Sequence, residues 1–223
     1  MRLWLWIGTT LVLGLVAGGL GGWFAHGEQR TVTRARDIAP PGSQVLDMRV
    51  LRSQTGPTQL AVAWRRGDPN DYPTEFGLTI WQRAGVRSPW RRLYERRIPV
   101  SKLANIHDLR LRTADVTRDG REDLLVFEDL DGSAGVYVYR LFTTDGGNVR
   151  QIAARLSSED DSTVIANYGE LVSYDGVGKD PKSGSYIHCC PRYWRRTVQR
   201  WNGERLVTAK ITRTKSRPSP YRY

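Results

Sequence analysis

Short apolar runs bounded by turn-forming residues dominate the chain beyond residue 40. They are rich in β-branched and aromatic side chains, and glycine, proline, asparagine or aspartate stands near their ends: residues 59–64, 77–81, 123–127 and 135–139. Such runs are typical of β-strands. No stretch of this region keeps the 3.6-residue period of an amphipathic helix for three turns. The sequence therefore predicts an all-β domain over residues 43–212.

A faint internal repeat refines this prediction. Residues 55–60 match residues 119–124, which lie 64 positions further along, and each match is followed by a second run that opens with glycine, Gly77 or Gly135. A third unit is indicated at residues 197–203, which resemble residues 138–146 with a shorter turn. Within it, residues 201–204 suit a tight hairpin, because Asn202-Gly203 tolerates the positive φ that such turns need. Repeated units of three or four strands favour a small stack of sheets or part of a β-propeller.

The first 26 residues predict a transmembrane anchor. Residues 3–25 form an almost uninterrupted apolar run, which as a helix covers the roughly 30 Å hydrocarbon core of a membrane. A cleaved signal peptide is the alternative, but its apolar region is usually shorter, and bulky Trp23 stands where a cleavage site needs a small residue. We expect an uncleaved anchor and then a basic linker over residues 27–42, which contains Pro40-Pro41.

Three glycines recur every four residues within the predicted anchor: Gly14, Gly18 and Gly22. They share one helix face in the small-xxx-small pattern that lets membrane helices approach closely. The alternative is that they are ordinary, because glycine is frequent in membrane helices and signal peptides. If the face packs, its partner is a second copy or another membrane protein.

The most specific motif lies at residues 115–124. Its oxygen-bearing side chains occupy positions 1, 3, 5 and 9: Asp115, Thr117, Asp119 and Asp123. Ca²⁺ takes six to eight oxygen ligands, and alternate residues of a chain folded around one ion converge on it. Gly120 permits the sharp bend, and the Arg121 carbonyl can supply a further oxygen. The alternative is a simple hairpin turn, although three converging aspartates would repel one another without a cation.

The pattern D-x-[DNT]-x-D-G-x-x-D-[LIV] followed by an apolar strand resembles the calcium loop of FG-GAP/VCBS repeats, found in integrin α-chain propellers and many exported bacterial proteins. The resemblance is strong over residues 111–140 and weak over the rest of residues 43–210. It implies one structural Ca²⁺ with these ligands: Asp115, Thr117, Asp119, Asp123 and the Arg121 carbonyl. The first unit keeps Gly56 but has lost the carboxylates, so we expect no ion there; its corresponding residues are Leu51, Ser53, Thr55 and Gln59.

The calcium prediction also sets the expected location. Extracellular modules bind calcium weakly, with dissociation constants near 10⁻⁴–10⁻³ M, so such a site fills only where calcium is plentiful. We therefore expect a single-pass membrane protein whose β-domain is extracytoplasmic. Arg2 agrees with this orientation, whereas Arg30, Arg34 and Arg36 favour the reverse by the positive-inside rule.

The two cysteines, Cys189 and Cys190, are adjacent, which excludes a disulfide framework and a four-cysteine zinc site. Neighbouring Cα atoms lie 3.8 Å apart, below the usual disulfide range, so a vicinal bridge would be strained. A vicinal bridge, two free thiols and bonds to another chain all remain open, and a metal role with His188 is the weakest reading.

Charge is unevenly distributed in this basic chain, whose formal net charge is +11. Residues 113–180 carry 14 acidic and 6 basic side chains, whereas residues 192–223 carry 10 basic and one acidic. Outside the cell, the basic end would favour anionic lipid headgroups or acidic wall polymers. Nucleic acid is not expected, because it would require a cytoplasmic domain. Residues 213–223 are predicted to form a basic flexible tail.

The sequence contains no G-x-S-x-G elbow, P-loop or H-E-x-x-H motif. We therefore expect a role in binding or assembly rather than catalysis. The alternatives are an accessory subunit of a larger membrane complex and an envelope enzyme or enzyme accessory.

Overall fold

The computed structural model describes residues 38–217 except 55, 69–72, 86–87, 100–105, 131–135, 146, 159–161 and 179–190. The chain divides into two compact units, Met1–Pro40 and Pro41–Tyr223, and the fold described below belongs to the second. The predicted anchor with its three glycines, most of the linker, Cys189 and Cys190 lie outside the described residues. Among the described residues, no helix is long and apolar enough to cross a membrane.

The second unit is all-β, as predicted. Its described residues form three antiparallel sheets of four strands, and in each sheet the strands neighbour one another in chain order. The first sheet contains β1 (Ser43–Leu51), β2 (Thr58–Arg66), β3 (Glu75–Arg83) and β4 (Arg91–Pro99). The second sheet contains β5 (Ile106–Ala114), β6 (Asp123–Leu130), β7 (Val136–Asp145) and β8 (Asn148–Ser158). The third sheet contains β9 (Ser162–Asn167), β10 (Glu170–Val177), β11 (Tyr193–Trp201) and β12 (Leu206–Thr214).

The four predicted apolar runs fall in β2, β3, β6 and β7. The predicted hairpin at residues 201–204 is also confirmed, because it connects β11 to β12. Gly203 takes a φ of +99° there, and the Asn202 side chain accepts hydrogen bonds from the backbone N–H groups of Glu204 and Arg205 at 3.0 and 2.9 Å.

The second sheet is the middle layer of the unit. Successive side chains of a strand point to opposite faces, and in β6 Leu124 and Val126 pack in one core cluster with Leu78 and Phe76 of the first sheet. Leu125 packs instead in a second cluster with Leu171 and Val164 of the third sheet. The two hydrophobic cores therefore lie on the two faces of the second sheet.

Each core is accompanied by a carboxylate held between two arginines. Glu128 of β6 pairs with Arg96 of β4 and with Arg140 of β7, the latter at 2.8 Å. Asp175 of β10 pairs with Arg155 of β8 at 2.6 Å and with Arg195 of β11 at 3.6 Å. In both cases the second strand supplies the carboxylate, the same sheet's third strand supplies one arginine, and the preceding sheet's fourth strand supplies the other.

Candidate functional site at the loop between β5 and β6

The loop between β5 and β6 lies between turns of the other two sheets. On one side, Gln54 N–H donates to the Gly120 carbonyl at 3.0 Å and Glu122 N–H donates to the Arg52 carbonyl at 2.9 Å. These bonds flank an isolated antiparallel bridge between Ser53 and Arg121. This side of the loop is thus joined to the β1–β2 connection of the first sheet.

On the other side, the loop is joined to the β9–β10 turn of the third sheet. Gly169 N–H donates to the Asp115 carbonyl at 2.7 Å. The Arg118 guanidinium lies 5.4 Å from the ring centre of Tyr168, which is 69% exposed. A Cβ atom on Gly169 would overlap the Arg118 side chain. The loop therefore contacts all three sheets through backbone hydrogen bonds and close packing.

The backbone of the loop turns sharply at two residues. Gly120 has a φ of +81°, which agrees with the bend predicted there, and Arg118 has a φ of +61°. Positive φ is costly for residues with a Cβ atom. Among the described residues, Arg118 is the one non-glycine residue with a positive φ. Its contacts with Tyr168 and Gly169 therefore stabilise a strained backbone conformation.

Asp123 organises the loop from its buried position at the start of β6. Its Oδ2 accepts hydrogen bonds from the N–H groups of Val116 and Thr117 at 2.8 and 2.9 Å. The Thr117 hydroxyl donates to the same oxygen at 3.1 Å. Burial raises the pKa of Asp123 to about 6, an effect that hydrogen bonds from Thr143 and Thr117 oppose and the charge of Asp119 reinforces.

Asp115 and Asp119 are the other two acidic residues predicted as ligands. Oδ2 of Asp115 accepts from the Gly120 N–H at 3.1 Å, and Oδ1 of Asp119 accepts from the Arg121 N–H at 2.9 Å. Oδ1 of Asp115 is buried and has no hydrogen-bond partner in the structure as described. A buried carboxylate oxygen without a donor is unfavourable, so a cation or a hydrogen-bond donor at this oxygen would be stabilising.

Arg121 is placed to offer its backbone carbonyl. In an antiparallel pair whose hydrogen bonds are made by the flanking residues, the N–H and C=O of the paired residue point away from the partner strand. Because the bonds come from Gln54 and Glu122, both backbone groups of Arg121 face away from Ser53. The N–H donates to Oδ1 of Asp119 at 2.9 Å, and the carbonyl is not used by the bridge to Ser53.

The residues fit calcium in chemistry, since all five predicted ligands are oxygen donors and Asp115 has an unpaired buried oxygen. Their carboxylates nevertheless accept hydrogen bonds from backbone N–H groups of the loop and do not converge on a single point. Within the described ranges, no group of three or more histidine, cysteine, aspartate or glutamate side chains is arranged to hold a metal ion. A bound ion would therefore compete with the loop's internal hydrogen bonds for the same oxygens.

The corresponding residues of the first unit have other roles. Leu51 is buried in the first core, and the Gln59 amide donates to the Gln82 side chain at 3.2 Å. Ser53 takes part in the bridge to Arg121, and Thr55 lies outside the described residues.

Sequence reasoning missed two parts of this site. Thr143, which hydrogen-bonds Asp123, and Tyr168, which packs against Arg118, come from distant segments of the chain. No local spacing links either residue to the loop. Tyr168 does lie in the turn between the first two strands of its sheet, as residues 115–122 do in theirs.

Comparison with known proteins adds no family to these observations. No protein-family model matches the chain, and a search of curated proteins returns no significant match. The functional proposal therefore depends on the loop and its contacts.

Proposed function

We propose that the chain is a membrane-anchored, extracytoplasmic β-repeat domain of FG-GAP/VCBS type that acts in binding or assembly rather than catalysis. In this proposal each four-stranded sheet is one repeat, the three repeats form part of a propeller, and the loop at residues 115–123 holds one structural Ca²⁺. The support comes from three successive four-stranded antiparallel sheets and from the calcium-loop pattern at the entry to β6.

The observation that carries the proposal is the position of the loop together with its unpaired oxygen. The loop hydrogen-bonds to the Gln54 segment of the first sheet and to Gly169 of the third, so its conformation affects both neighbours. Oδ1 of Asp115 is buried without a partner among the described residues. A ligand that satisfies this oxygen would stabilise the loop and, through it, the arrangement of the turns.

The residues proposed to hold the ion are Asp115, Thr117, Asp119, Asp123 and the Arg121 carbonyl. When bound, calcium would neutralise the carboxylates and cross-link the two ends of the loop. Asp123 fixes the start of the loop through Val116 and Thr117, and Gly120 supplies the bend. The exposed Tyr168 and Arg118 would then form a rigid surface at the edge of the unit.

Partners are proposed on charge and exposure. Lys210, Arg213 and Lys215 are exposed on or just after the edge strand β12, whereas Arg200 is paired with Glu170 at 2.7 Å. These exposed basic side chains would suit anionic lipid headgroups or acidic wall polymers close to the membrane. The membrane itself is the first partner, through the proposed anchor, and a second copy or another protein is the other.

Thermal unfolding of the full chain with and without calcium tests the calcium site. With a dissociation constant of 10⁻⁴–10⁻³ M, about 10 mM calcium would stabilise the fold by about 1.4–2.7 kcal/mol, which is about 3–10 °C for a domain of this size. Asp119→Ala should abolish the difference between calcium and EGTA. Glu122→Gln is the matched control, because it removes a charge from the same loop at a residue that is not a proposed ligand.

Two results would contradict the site. One is a wild-type melting temperature that calcium and EGTA leave equal. The other is a calcium effect that survives in Asp119→Ala but is lost in Glu122→Gln. Digestion of intact cells by an added protease tests the location separately: the proposal expects cleavage of the β-domain, and a domain protected until the cells are opened would contradict an extracytoplasmic position.

A further inference from the structure

The strand β12 forms one edge of the third sheet. Among the described residues it pairs with β11 alone, because the strand order of the sheet is β12-β11-β10-β9. In an antiparallel pair, about half of the backbone N–H and C=O groups of an edge strand point away from its neighbour. Residues 208–211 of β12 are all exposed, and consecutive residues point to opposite faces. The middle of this edge is therefore open to solvent on both faces.

The two outermost strands of this sheet are basic. Neither β11 nor the segment 205–223 contains an acidic residue. Arg213 lies directly opposite Arg195 in the register of the two strands, and like charges in directly opposite positions are destabilising. Arg195 is compensated by Asp175 at 3.6 Å, whereas within the described residues Arg213 contacts the ring of Tyr193, at 4.8 Å, and no carboxylate. An acidic group beside Arg213 would therefore be stabilising.

The fourth strands of the other two sheets have their charges paired within the fold. In β4, Glu95 pairs with Arg92 and with Arg97. In β8, Arg155 pairs with Asp175 of the third sheet at 2.6 Å. Of these three edge strands, β12 is the one that makes no ion pair in the described part of the chain. Its charge is thus available to a partner.

The positions of the exposed side chains define what an added strand must carry. Residues in directly opposite positions share a face of the sheet, so Arg213 lies on the face of Arg195. Ile211, which is 60% exposed, lies on that same face, and Lys210 lies on the other. An antiparallel strand meets Arg213, Ile211 and Lys210 in that order. It therefore needs an acidic residue, one further residue, an apolar residue and a second acidic residue.

We propose that β12 accepts an extended acidic segment of a partner protein as an additional antiparallel strand, with the pattern acidic-x-apolar-acidic opposite residues 213 to 210. Main-chain hydrogen bonds supply affinity in this mode of recognition, and side chains supply specificity. Charged side chains on an edge strand oppose pairing with copies of the same strand. A second copy is therefore repelled by its own Lys210 and Arg213, whereas an acidic segment is attracted.

This inference goes beyond the calcium loop and does not depend on it. Lys210 and Arg213 also suit anionic headgroups and wall polymers, but those partners offer no peptide backbone in register with β12. Strand addition and simple charge attraction therefore differ in one measurable respect, which is the protection of the β12 amides.

Fluorescence anisotropy on the full chain with labelled synthetic peptides tests the added strand. The first peptide is Thr-Val-Thr-Glu-Thr-Val-Glu-Thr-Val-Thr, which contains the proposed pattern. The second has the same sequence with methyl groups on all backbone nitrogens, so it keeps the charge and loses the donors. Lys210→Glu and Arg213→Glu are the test variants. The matched control is Arg205→Glu, which reverses an exposed charge in the hairpin just before β12 begins.

We expect the first peptide to bind saturably and the methylated peptide to bind at least about tenfold more weakly, because several hydrogen bonds are lost. Lys210→Glu and Arg213→Glu should each weaken binding of the first peptide about fivefold, and Arg205→Glu should have a much smaller effect. With saturating peptide, hydrogen exchange should slow several times in β12 and stay unchanged in β4.

Several results would overturn the proposal. The first is no saturable binding of the unmethylated peptide. The second is equal binding of both peptides, or unchanged exchange in β12, either of which would leave charge attraction alone, as to a lipid headgroup. An equal loss of binding in Arg205→Glu would contradict the proposed register. Protection of β12 that rises with the concentration of the chain without peptide would assign the edge to a second copy.

Discussion

The two interfaces between the sheets carry the same charge arrangement in different surroundings. At the first interface, the Glu128 side chain is 3% exposed between Arg96 and Arg140. At the second, the Asp175 side chain is 11% exposed, and its arginine partners are more exposed than those of Glu128. The first interface is lined by leucine, isoleucine and phenylalanine, whereas the second includes Tyr137 and Tyr139.

The repeated strand order sets the positions of the ion pairs at both interfaces. Burial sets how much each pair contributes to the free energy of unfolding. A buried ion pair is costly to break, because one charge is then left desolvated, whereas an exposed pair contributes little. We therefore expect substitutions at the first interface to destabilise the fold more than those at the second. We also expect the sheets to separate first at the second interface.

Neighbouring leucines of β6 give the largest expected effect and the cleanest test of this difference. Leu124 packs in the first core and Leu125 in the second, and both are fully buried. Substitution of a buried leucine by alanine costs about 2–5 kcal/mol. Leu124→Ala should lie near the upper end of that range and Leu125→Ala near the lower end, as measured by urea unfolding. Equal losses would mean that the interfaces are equivalent.

The carboxylates provide the next test. Glu128→Ala leaves Arg96 and Arg140 without their shared partner and should lower the free energy of unfolding by about 3 kcal/mol. Asp175→Ala should cost about 1 kcal/mol, because Arg155 and Arg195 can turn to water. The same urea titrations measure both values, and an Asp175 variant as damaged as the Glu128 variant would contradict the ranking.

The pH dependence of the free energy of unfolding tests the protonation of Asp123. This residue ends the β5–β6 loop, which is hydrogen-bonded to turns of the first and third sheets. Its carboxyl ionises near 3.8 when unfolded and near 6 when folded, so between these values the folded state holds more protons. The free energy of unfolding should therefore fall by about 2 kcal/mol as the pH rises from about 4 to 6 without calcium. Asp123→Asn should remove this slope, while Asp119→Asn should keep it; a slope common to both variants would exclude Asp123 as its source.

Arg118 gives the smallest expected effect and concerns the loop's contact with the third sheet. Glycine would relieve the positive φ of this residue, which is worth about 1 kcal/mol, but would lose the contact with Tyr168, which is worth about 0.5–1 kcal/mol. Arg118→Gly should therefore be nearly neutral, and Arg118→Ala should destabilise by about 1 kcal/mol. If chemical denaturation shows that Arg118→Ala is more stable than Arg118→Gly, the backbone strain inferred at residue 118 is contradicted.

Local patterns predicted the strands and the loop, because each depends on residues close in sequence. The apolar runs mark β2, β3, β6 and β7, and the spacing of Asp115, Gly120 and Asp123 marks one continuous turn. The arginine pairs could not be predicted in the same way. Arg96 precedes Glu128 by 32 residues, and only the packing of one sheet on another brings them together.

The same limit applies to the end of the chain. Its composition predicted a flexible basic tail over residues 213–223, of which 218–223 lie outside the described residues. In the described part, β12 continues to Thr214 and Arg217 contacts Thr163, 54 residues earlier. Charge and proline content describe a segment in isolation. The partners that hold Arg217 are known only once the strand order of the third sheet is known.

Calorimetric titration of the full chain with calcium tests the central claim, that the loop between the sheets is a cation site. One calcium per chain should bind with a dissociation constant near 10⁻⁴–10⁻³ M, and Asp115→Asn and Asp119→Asn should each abolish saturable binding while Glu122→Gln retains it. Absence of saturable binding to the wild type at about 10 mM calcium, or unchanged binding in both aspartate variants, would contradict the account.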